Sequence, residues 1–109
     1  MTPLNVLVDI MESEKLKINQ FIKLFGRDKR YLEGLCYWFA YILKGRFPDG
    51  DIWYDPILCH FYFVLNEDTY DVRGCVDLPT TAIKWSDYQK FDLSDYKRVV
   101  KYCILKEGE

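Results

Sequence analysis

A change of sequence periodicity near Gly50 constrains this fold more than any other feature. Before it, apolar residues recur at the three- and four-residue spacing of buried helix faces. After it, aromatic and β-branched residues form short runs between turn residues, as strands do. Helices followed by strands predict an α+β fold, because an α/β fold alternates the two elements. The 109 residues predict one domain, residues 1–109, with N-terminal helices packed on a small antiparallel sheet.

The N-terminal quarter of the chain predicts two helices. Residues 4–12 are apolar enough for a short first helix. Ser13 is a candidate N-cap for a second helix over residues 14–25, which Gly26 would end. The predicted buried stripe of this second helix consists of Leu16, Ile18, Phe21, Ile22, Leu24 and Phe25.

The strongest helix prediction covers residues 31–45. These residues are apolar almost all round, which is typical of a helix buried on several sides. Cys36 would lie in the first turns of this helix, and Gly45 would be its C-cap glycine. Residues 47–50 then have the composition of a turn.

Three strand segments follow. Residues 51–54 form the first strand, and residues 58–65 and 69–73 pair as a β-hairpin around a turn at residues 66–68. Gly74 would end or bulge the second strand of the hairpin.

The last third of the chain is less regular. Residues 75–85 have the composition of a loop with room for a strand fragment, and Ser86 and Ser94 are both candidate N-caps. Residues 95–105 fit a helix with one apolar face, which we favour, although residues 99–105 also fit a β-branched strand.

Charge and hydropathy disfavour several classes of function. Fifteen basic and seventeen acidic side chains give a formal net charge of −2, which disfavours nucleic acid as the main partner. The basic cluster at residues 27–30 is interpreted as a solvated loop, with nucleic-acid binding as a third hypothesis. Because we find neither a signal-peptide pattern nor an apolar run of about 18 residues, we expect a cytoplasmic protein without a membrane partner.

The four cysteines lie far apart in the chain, at Cys36, Cys59, Cys75 and Cys103. Because they form no CxxC pair, zinc-finger and thioredoxin motifs are excluded, and reduced thiols are expected. His60 is the single histidine, so a metal site with several histidines is excluded as well. We therefore expect no cofactor and no metal.

Three residues form a candidate reactive set: Cys36 near a helix start, His60 on a strand and Asp71 on the partner strand. A cysteine becomes a strong nucleophile when a helix N-terminus and an imidazolium favour its thiolate form. His60 would supply that imidazolium and later protonate the leaving group, and Asp71 would hold the other ring nitrogen. The backbone N–H of Cys36 would help to stabilise an oxyanion.

Each of these residues also has an ordinary structural interpretation. A cysteine on a buried helix is usually a small apolar core residue, and a lone histidine in a strand is usually structural. Asp71 fits a turn cap. Asp55 is interpreted as a turn residue, or alternatively as a second contact of His60, while Cys59 should point to the other face of its strand.

The segments that carry these residues resemble a known superfamily. They read GLCYWFA at residues 34–40, FPDGDIWYDP at 47–56, HF at 60–61 and YDVRG at 70–74. Together they resemble the papain-like thiol enzymes, which include transglutaminase-like proteins, arylamine N-acetyltransferases and bacterial cell-wall cysteine peptidases. They look more closely like small uncharacterised proteins of Gram-positive bacteria and their phages.

The resemblance covers residues 31–74 and implies a papain-like cysteine-hydrolase core. It implies Cys36 as nucleophile, His60 as general base and Asp71 as the residue that orients the imidazole. The superfamily also has an oxyanion donor upstream of the cysteine, and only Arg30 and Tyr31 are polar candidates at a suitable distance here.

Two main hypotheses of function follow from these features. The first is a thiol hydrolase or acyl-transfer enzyme that acts on an amide, isopeptide or thioester of a protein or peptide-like substrate. The alternative is a catalytically inert phage or mobile-element protein that binds and inhibits a host protein, such as a defence nuclease. The alternative is motivated by size, because 109 residues leave little chain for a substrate-binding lobe.

Overall fold

The computed structural model describes residues 3–105, and it consists of helices and a five-stranded antiparallel sheet. The elements in chain order are α1 (Pro3–Lys23), α2 (Arg30–Glu33), α3 (Cys36–Arg46), β1 (Asp51–Asp55), β2 (His60–Leu65), β3 (Asp68–Asp71), β4 (Gly74–Val76), β5 (Ile83–Lys84), α4 (Trp85–Phe91), α5 (Leu93–Val99) and a π-helical segment (Val100–Leu105). The predicted α+β architecture is confirmed.

The sheet has the strand order β4-β3-β2-β1-β5, and every neighbouring pair is antiparallel. The predicted hairpin is formed by β2 and β3, with Phe63 opposite Tyr70 and Leu65 opposite Asp68. Its turn residues Asn66 and Glu67 have positive φ angles of 52° and 70°. Two consecutive left-handed residues are typical of the two-residue turn whose twist matches that of the strands.

The prediction of two N-terminal helices with a cap at Ser13 was wrong. A single helix, α1, runs through that position from Pro3 to Lys23. No glycine or proline interrupts the chain there, and an interior serine costs a helix only a few tenths of a kcal/mol, about 0.5 relative to alanine. Gly26 lies just past the helix with a φ of 60°, so the predicted end of the helix is nearly right.

The predicted buried stripe of α1 is only partly right. Ile18 and Ile22 are buried in the core, whereas Leu16 and Leu24 are exposed. Phe21 and Phe25 are half-buried and pack against the same core. The apolar face in contact with the sheet is therefore narrower than the sequence pattern suggests.

The single helix predicted over residues 31–45 is broken into α2 and α3. Gly34 and Leu35 leave helical geometry, and the Leu35 N–H closes a wide turn onto the Arg30 carbonyl oxygen at 2.7 Å. As a result Cys36 is the first residue of α3 rather than an interior one. The C-cap prediction for Gly45 was also wrong, because α3 continues to Arg46 and Phe47 caps it.

The helices bury two apolar clusters against the sheet. The first consists of Ile18, Ile22, Phe39, Leu43, Phe63, Leu65, Tyr70 and Val72. The second consists of Ala40, Tyr54, Phe61, Tyr88, Val99 and Ile104. Helix α3 and strand β2 each contribute to both clusters, so these two elements join the N-terminal and C-terminal halves of the core.

The central strand β2 has two different faces, both buried. Phe61, Phe63 and Leu65 belong to the apolar clusters, whereas His60 and Tyr62 alternate with them and lie on the other face. The connection at residues 77–82 joins β4 to β5 at opposite edges of the sheet, so it must cross one face.

Thr81 shows which face this connection crosses. Its hydroxyl donates a hydrogen bond to Asp55, and Asp55 lies directly opposite His60 in the pairing of β1 with β2. Directly opposed residues of an antiparallel pair point to the same side of the sheet. The connection therefore passes on the His60 side, which accounts for the burial of polar residues on that side.

The C-terminal third contains more structure than a loop. β4 and β5 form the two edges of the sheet, and α5 with the π-helical segment confirms the helix favoured over residues 95–105. Neither predicted serine cap is correct. Asp92 caps α5 by accepting a hydrogen bond from the Asp95 N–H at 3.0 Å, and α4 begins before Ser86.

Two glycines give opposite predictions for alanine substitution. A Cβ at buried Gly50 would collide with the Phe63 ring and lie 2.9 Å from the Val64 carbonyl oxygen, so Gly50→Ala should lower the free energy of unfolding by about 1–3 kcal/mol. Gly45 lies within α3 with open space around it, so Gly45→Ala should raise stability by about 0.5–1 kcal/mol. Urea denaturation of both variants tests this. Equal effects would contradict the packing described here.

Candidate functional site

Cys36 owes its position to the break before α3. It is the first residue of that helix, is half-buried, and packs against the cluster that includes Phe61 and Ala40. The first backbone N–H groups of a helix have no acceptor within it and carry its partial positive charge. The Cys36 thiol is therefore held beside a set of backbone donors.

His60 and Asp71 are brought together by the register of the central hairpin. Because Phe63 pairs with Tyr70, Asp71 lies on the same face as Tyr62 and His60. The Nε2 atom of His60 is 3.0 Å from Oδ2 of Asp71, and only 7% of His60 and 2% of Asp71 is exposed. The Tyr62 ring packs edge-on against the imidazole, with centroids 4.7 Å apart. The contact leaves Nδ1 as the ring nitrogen that can serve another partner.

Arg73 is a member of this cluster that was missed in the sequence. Its backbone N–H donates to Asp71 Oδ1 at 2.8 Å, and its guanidinium Nε donates to Oδ2 at 3.0 Å. The first of these contacts is the turn-capping interaction considered as an alternative for Asp71. The same carboxylate therefore caps the turn and is hydrogen-bonded to the imidazole. The Asp-x-Arg spacing within a turn could have indicated this pair.

The electrostatics of the cluster favour a charged pair. Burial alone would lower the pKa of His60, but the hydrogen bond with Asp71, together with the electrostatic effects of Cys36 and Asp71, outweighs it and raises that pKa from 6.5 to about 9. Burial raises the pKa of Asp71, but the hydrogen bonds from His60 and Arg73 prevail and lower it from 3.8 to about 2. At neutral pH the pair is thus an imidazolium with a carboxylate.

The thiol of Cys36 takes part in this electrostatic balance. It favours the imidazolium form of His60 and so raises the pKa of that ring. It also acts on the neighbouring Tyr62, whose pKa is raised chiefly by burial. Of the three residues that the sequence singled out, His60 and Asp71 are in direct hydrogen-bonding contact, whereas Cys36 packs against the apolar cluster that contains Phe61 and acts on His60 electrostatically.

The other residues considered in the sequence do not join the cluster. Asp55 accepts hydrogen bonds from the Ile57 and Leu58 N–H groups and from Thr81, so the turn interpretation accounts for its contacts. Cys59 is exposed, and its thiol donates to the Pro56 carbonyl oxygen.

The two upstream candidates for an oxyanion donor are engaged elsewhere. The guanidinium of Arg30 is paired with Asp28, with Nη2 2.6 Å from Oδ2. The ring of Tyr31 packs edge-on against Phe25 and tilts against Phe39. Their contacts are thus with the loop after α1 and with the core.

The fold and the cluster define an α+β domain with a helix-initiating cysteine beside a buried histidine–aspartate pair. A family model described as phage YunG-like protein matches residues 10–104. The chain belongs to this phage YunG-like family. No curated protein and no solved structure matches it. Within residues 3–105, no helix combines the length and the apolar character needed to cross a membrane.

The single histidine makes the charge state of the pair measurable. Proton NMR should give His60 a pKa near 9 in the folded protein. Because this value lies above the unfolded one, the stability contributed by His60 is complete below pH 6.5 and is lost as the pH rises through about 9. Asp71 behaves in the opposite sense, since its contribution is complete above pH 3.8 and is lost as the pH falls through about 2.

The variant Asp71→Asn should return the pKa of His60 toward or below 6.5. Burial disfavours the imidazolium form, and the variant lacks the carboxylate that stabilises this form. The matched control is Asp68→Asn, which removes a carboxylate from the same strand that is paired with Lys15 instead. An unchanged pKa of His60 in Asp71→Asn would show that the pair does not form.

Proposed function

We propose that the chain is a thiol hydrolase or acyl-transfer enzyme with a papain-like core. Cys36 is the nucleophile, His60 the general acid and base, and Asp71 the residue that orients the imidazole. The observation that carries the proposal is the hydrogen bond between Nε2 of His60 and Oδ2 of Asp71. This bond leaves Nδ1 of His60 available to the thiol of Cys36, which favours the imidazolium form of the ring. The proposal is supported because this chemistry needs a base oriented by a carboxylate, with a thiol near the base as its nucleophile.

The reaction divides into two balanced steps. The Cys36 thiolate attacks the carbonyl carbon of an amide, isopeptide or thioester, and the His60 imidazolium gives its proton to the departing amine or thiol. This step leaves an acyl thioester on Cys36 and a neutral imidazole. A water, or an acceptor amine in acyl transfer, then attacks the thioester while His60 takes its proton. The acid or new amide leaves, and the thiolate–imidazolium pair is restored.

The start of α3 would supply the electrostatic stabilisation that this reaction needs. The tetrahedral intermediate carries a negative oxygen next to the Cys36 sulfur, where the first backbone N–H groups of the helix are available. The positive end of the helix dipole favours the same charge. This arrangement needs no side-chain donor, which fits the engagement of Arg30 and Tyr31 elsewhere.

Selective alkylation tests the proposed nucleophile. With iodoacetamide at pH 6, half-buried Cys36 should react faster than the exposed Cys59 and Cys75, because only Cys36 has an imidazolium beside it. Peptide mass spectrometry of the alkylated protein measures each site separately, so the two exposed cysteines serve as internal references.

The variant His60→Gln should abolish the excess reactivity of Cys36 and leave the rates at Cys59 and Cys75 unchanged. Circular dichroism checks that the variant remains folded, and Asp71→Asn provides a second route to the same loss. Parallel pH dependences of Cys36 and Cys59 in the folded wild-type protein would refute an activated nucleophile.

Binding to a host protein is the second candidate, favoured by membership of a phage family. Large apolar side chains that are strongly exposed, such as Ile57, Leu58 and Phe91, are compatible with a partner surface.

A phage that encodes this chain separates the two candidates. Under the enzyme proposal, Cys36→Ala should reduce the plaque yield, while Cys75→Ala, which changes an exposed thiol, should not. An undiminished plaque yield of Cys36→Ala, where deletion of the whole protein reduces it, would favour binding over catalysis.

A further inference from the structure

A cavity of about 260 Å³ lies between the end of α1 and the turn that joins β3 to β4. It is lined by Asn19, Ile22, Lys23, Gly26, Arg27, Val72, Arg73, Gly74 and Cys75. Its volume is slightly below about 300 Å³, which is the lower end of the range typical of small-molecule sites. The cavity is distinct from the thiol of Cys36, although Arg73 lines it and also contacts Asp71.

The charge of this cavity is one-sided. Lys23, Arg27 and Arg73 line it, and none of its lining residues carries a carboxylate. Among the side chains that the structure describes, Asp71 neutralises Arg73, but no carboxylate forms an ion pair with Lys23 or Arg27. In a chain of net charge −2, two uncompensated cations thus face one small concavity.

The backbone around the cavity is unusually open. Gly26 and Gly74 both have positive φ angles, 60° and 104°. A Cβ at Gly26 would meet no atom within 4 Å, and one at Gly74 would meet only Asn19 Oδ1 at 3.8 Å. Without side chains, these glycines leave room for a ligand next to the backbone, and the cations rather than the Gly26 N–H, which is donated to the Lys23 carbonyl oxygen at 3.2 Å, would hold it.

We propose that this cavity binds the phosphate group of a small molecule. Two uncompensated cations match the charge of a phosphate dianion. Arg73 contributes a third cation that is already fixed in place by Asp71. The phosphate site does not depend on the thiol chemistry. Either proposal can therefore fail while the other one stands.

Titration of the ¹⁵N-labelled protein with inorganic phosphate at constant ionic strength tests the site. The backbone N–H signals of Gly26, Arg27 and Gly74 should shift and saturate together. The double variant Lys23→Gln/Arg27→Gln should weaken this binding by about tenfold or more, because it removes two charge-assisted contacts from exposed positions. Glycerol 3-phosphate is a second probe, which distinguishes a phosphomonoester ligand from free phosphate. Tighter binding of glycerol 3-phosphate than of inorganic phosphate would indicate a phosphomonoester.

The matched control is Lys90→Gln/Lys97→Gln, which makes the same change of net charge at exposed positions on α4 and α5. It should bind phosphate as the unmodified protein does. The proposal is overturned if the three signals do not saturate together, or if the two double variants lose affinity equally.

Discussion

The buried ion pair of His60 and Asp71 is the constraint around which the rest of this domain is arranged. A charge removed from water is tolerated only where partners satisfy it, and here the carboxylate receives the imidazole together with the guanidinium and backbone N–H of Arg73. These contacts tie the start of β2 to the end of β3 and to the turn after it. A shift of this hairpin by one residue would move Asp71 to the opposite face of the sheet and leave the buried imidazolium of His60 without its carboxylate.

The face of β2 that carries His60 differs in character from the face under the helices. On the helix side, Phe61, Phe63 and Leu65 bury apolar surface, so that any apolar neighbour of suitable size can pack against them. The polar groups on the His60 face instead require specific hydrogen-bond donors and acceptors. The connection at residues 77–82 covers polar groups on this side, and Thr81 satisfies Asp55 there. The small sheet thus separates an apolar packing layer from a polar layer with defined hydrogen bonds.

Much of this architecture could be predicted from the sequence, and the failures have identifiable physical causes. The hairpin itself followed from alternation and turn composition, which are local properties, but its register did not, because Asp68 was predicted in the turn and instead pairs with Leu65 in β3. The break between α2 and α3 did not follow from apolar content, although Gly34, a poor helix former inside the predicted helix, marks its position. The π-helical segment and the edge strand β5 depend on tertiary contacts such as the Trp38 indole N–H donated to the Ile104 carbonyl oxygen at 3.1 Å. Sequence patterns carry little information about such long-range partners.

The dual role of Asp71 decides which residue can separate structure from chemistry. Its carboxylate caps a turn, pairs with Arg73 and holds His60, so any loss of function in an Asp71 variant is also a loss of structural contacts. His60 is almost as deeply engaged, since it is buried against Tyr62. Cys36 is different, because it is a small, half-buried side chain at a helix end, where alanine preserves the backbone and most of the packing. Of the three residues, Cys36 is therefore the one whose replacement reports on chemistry rather than on folding.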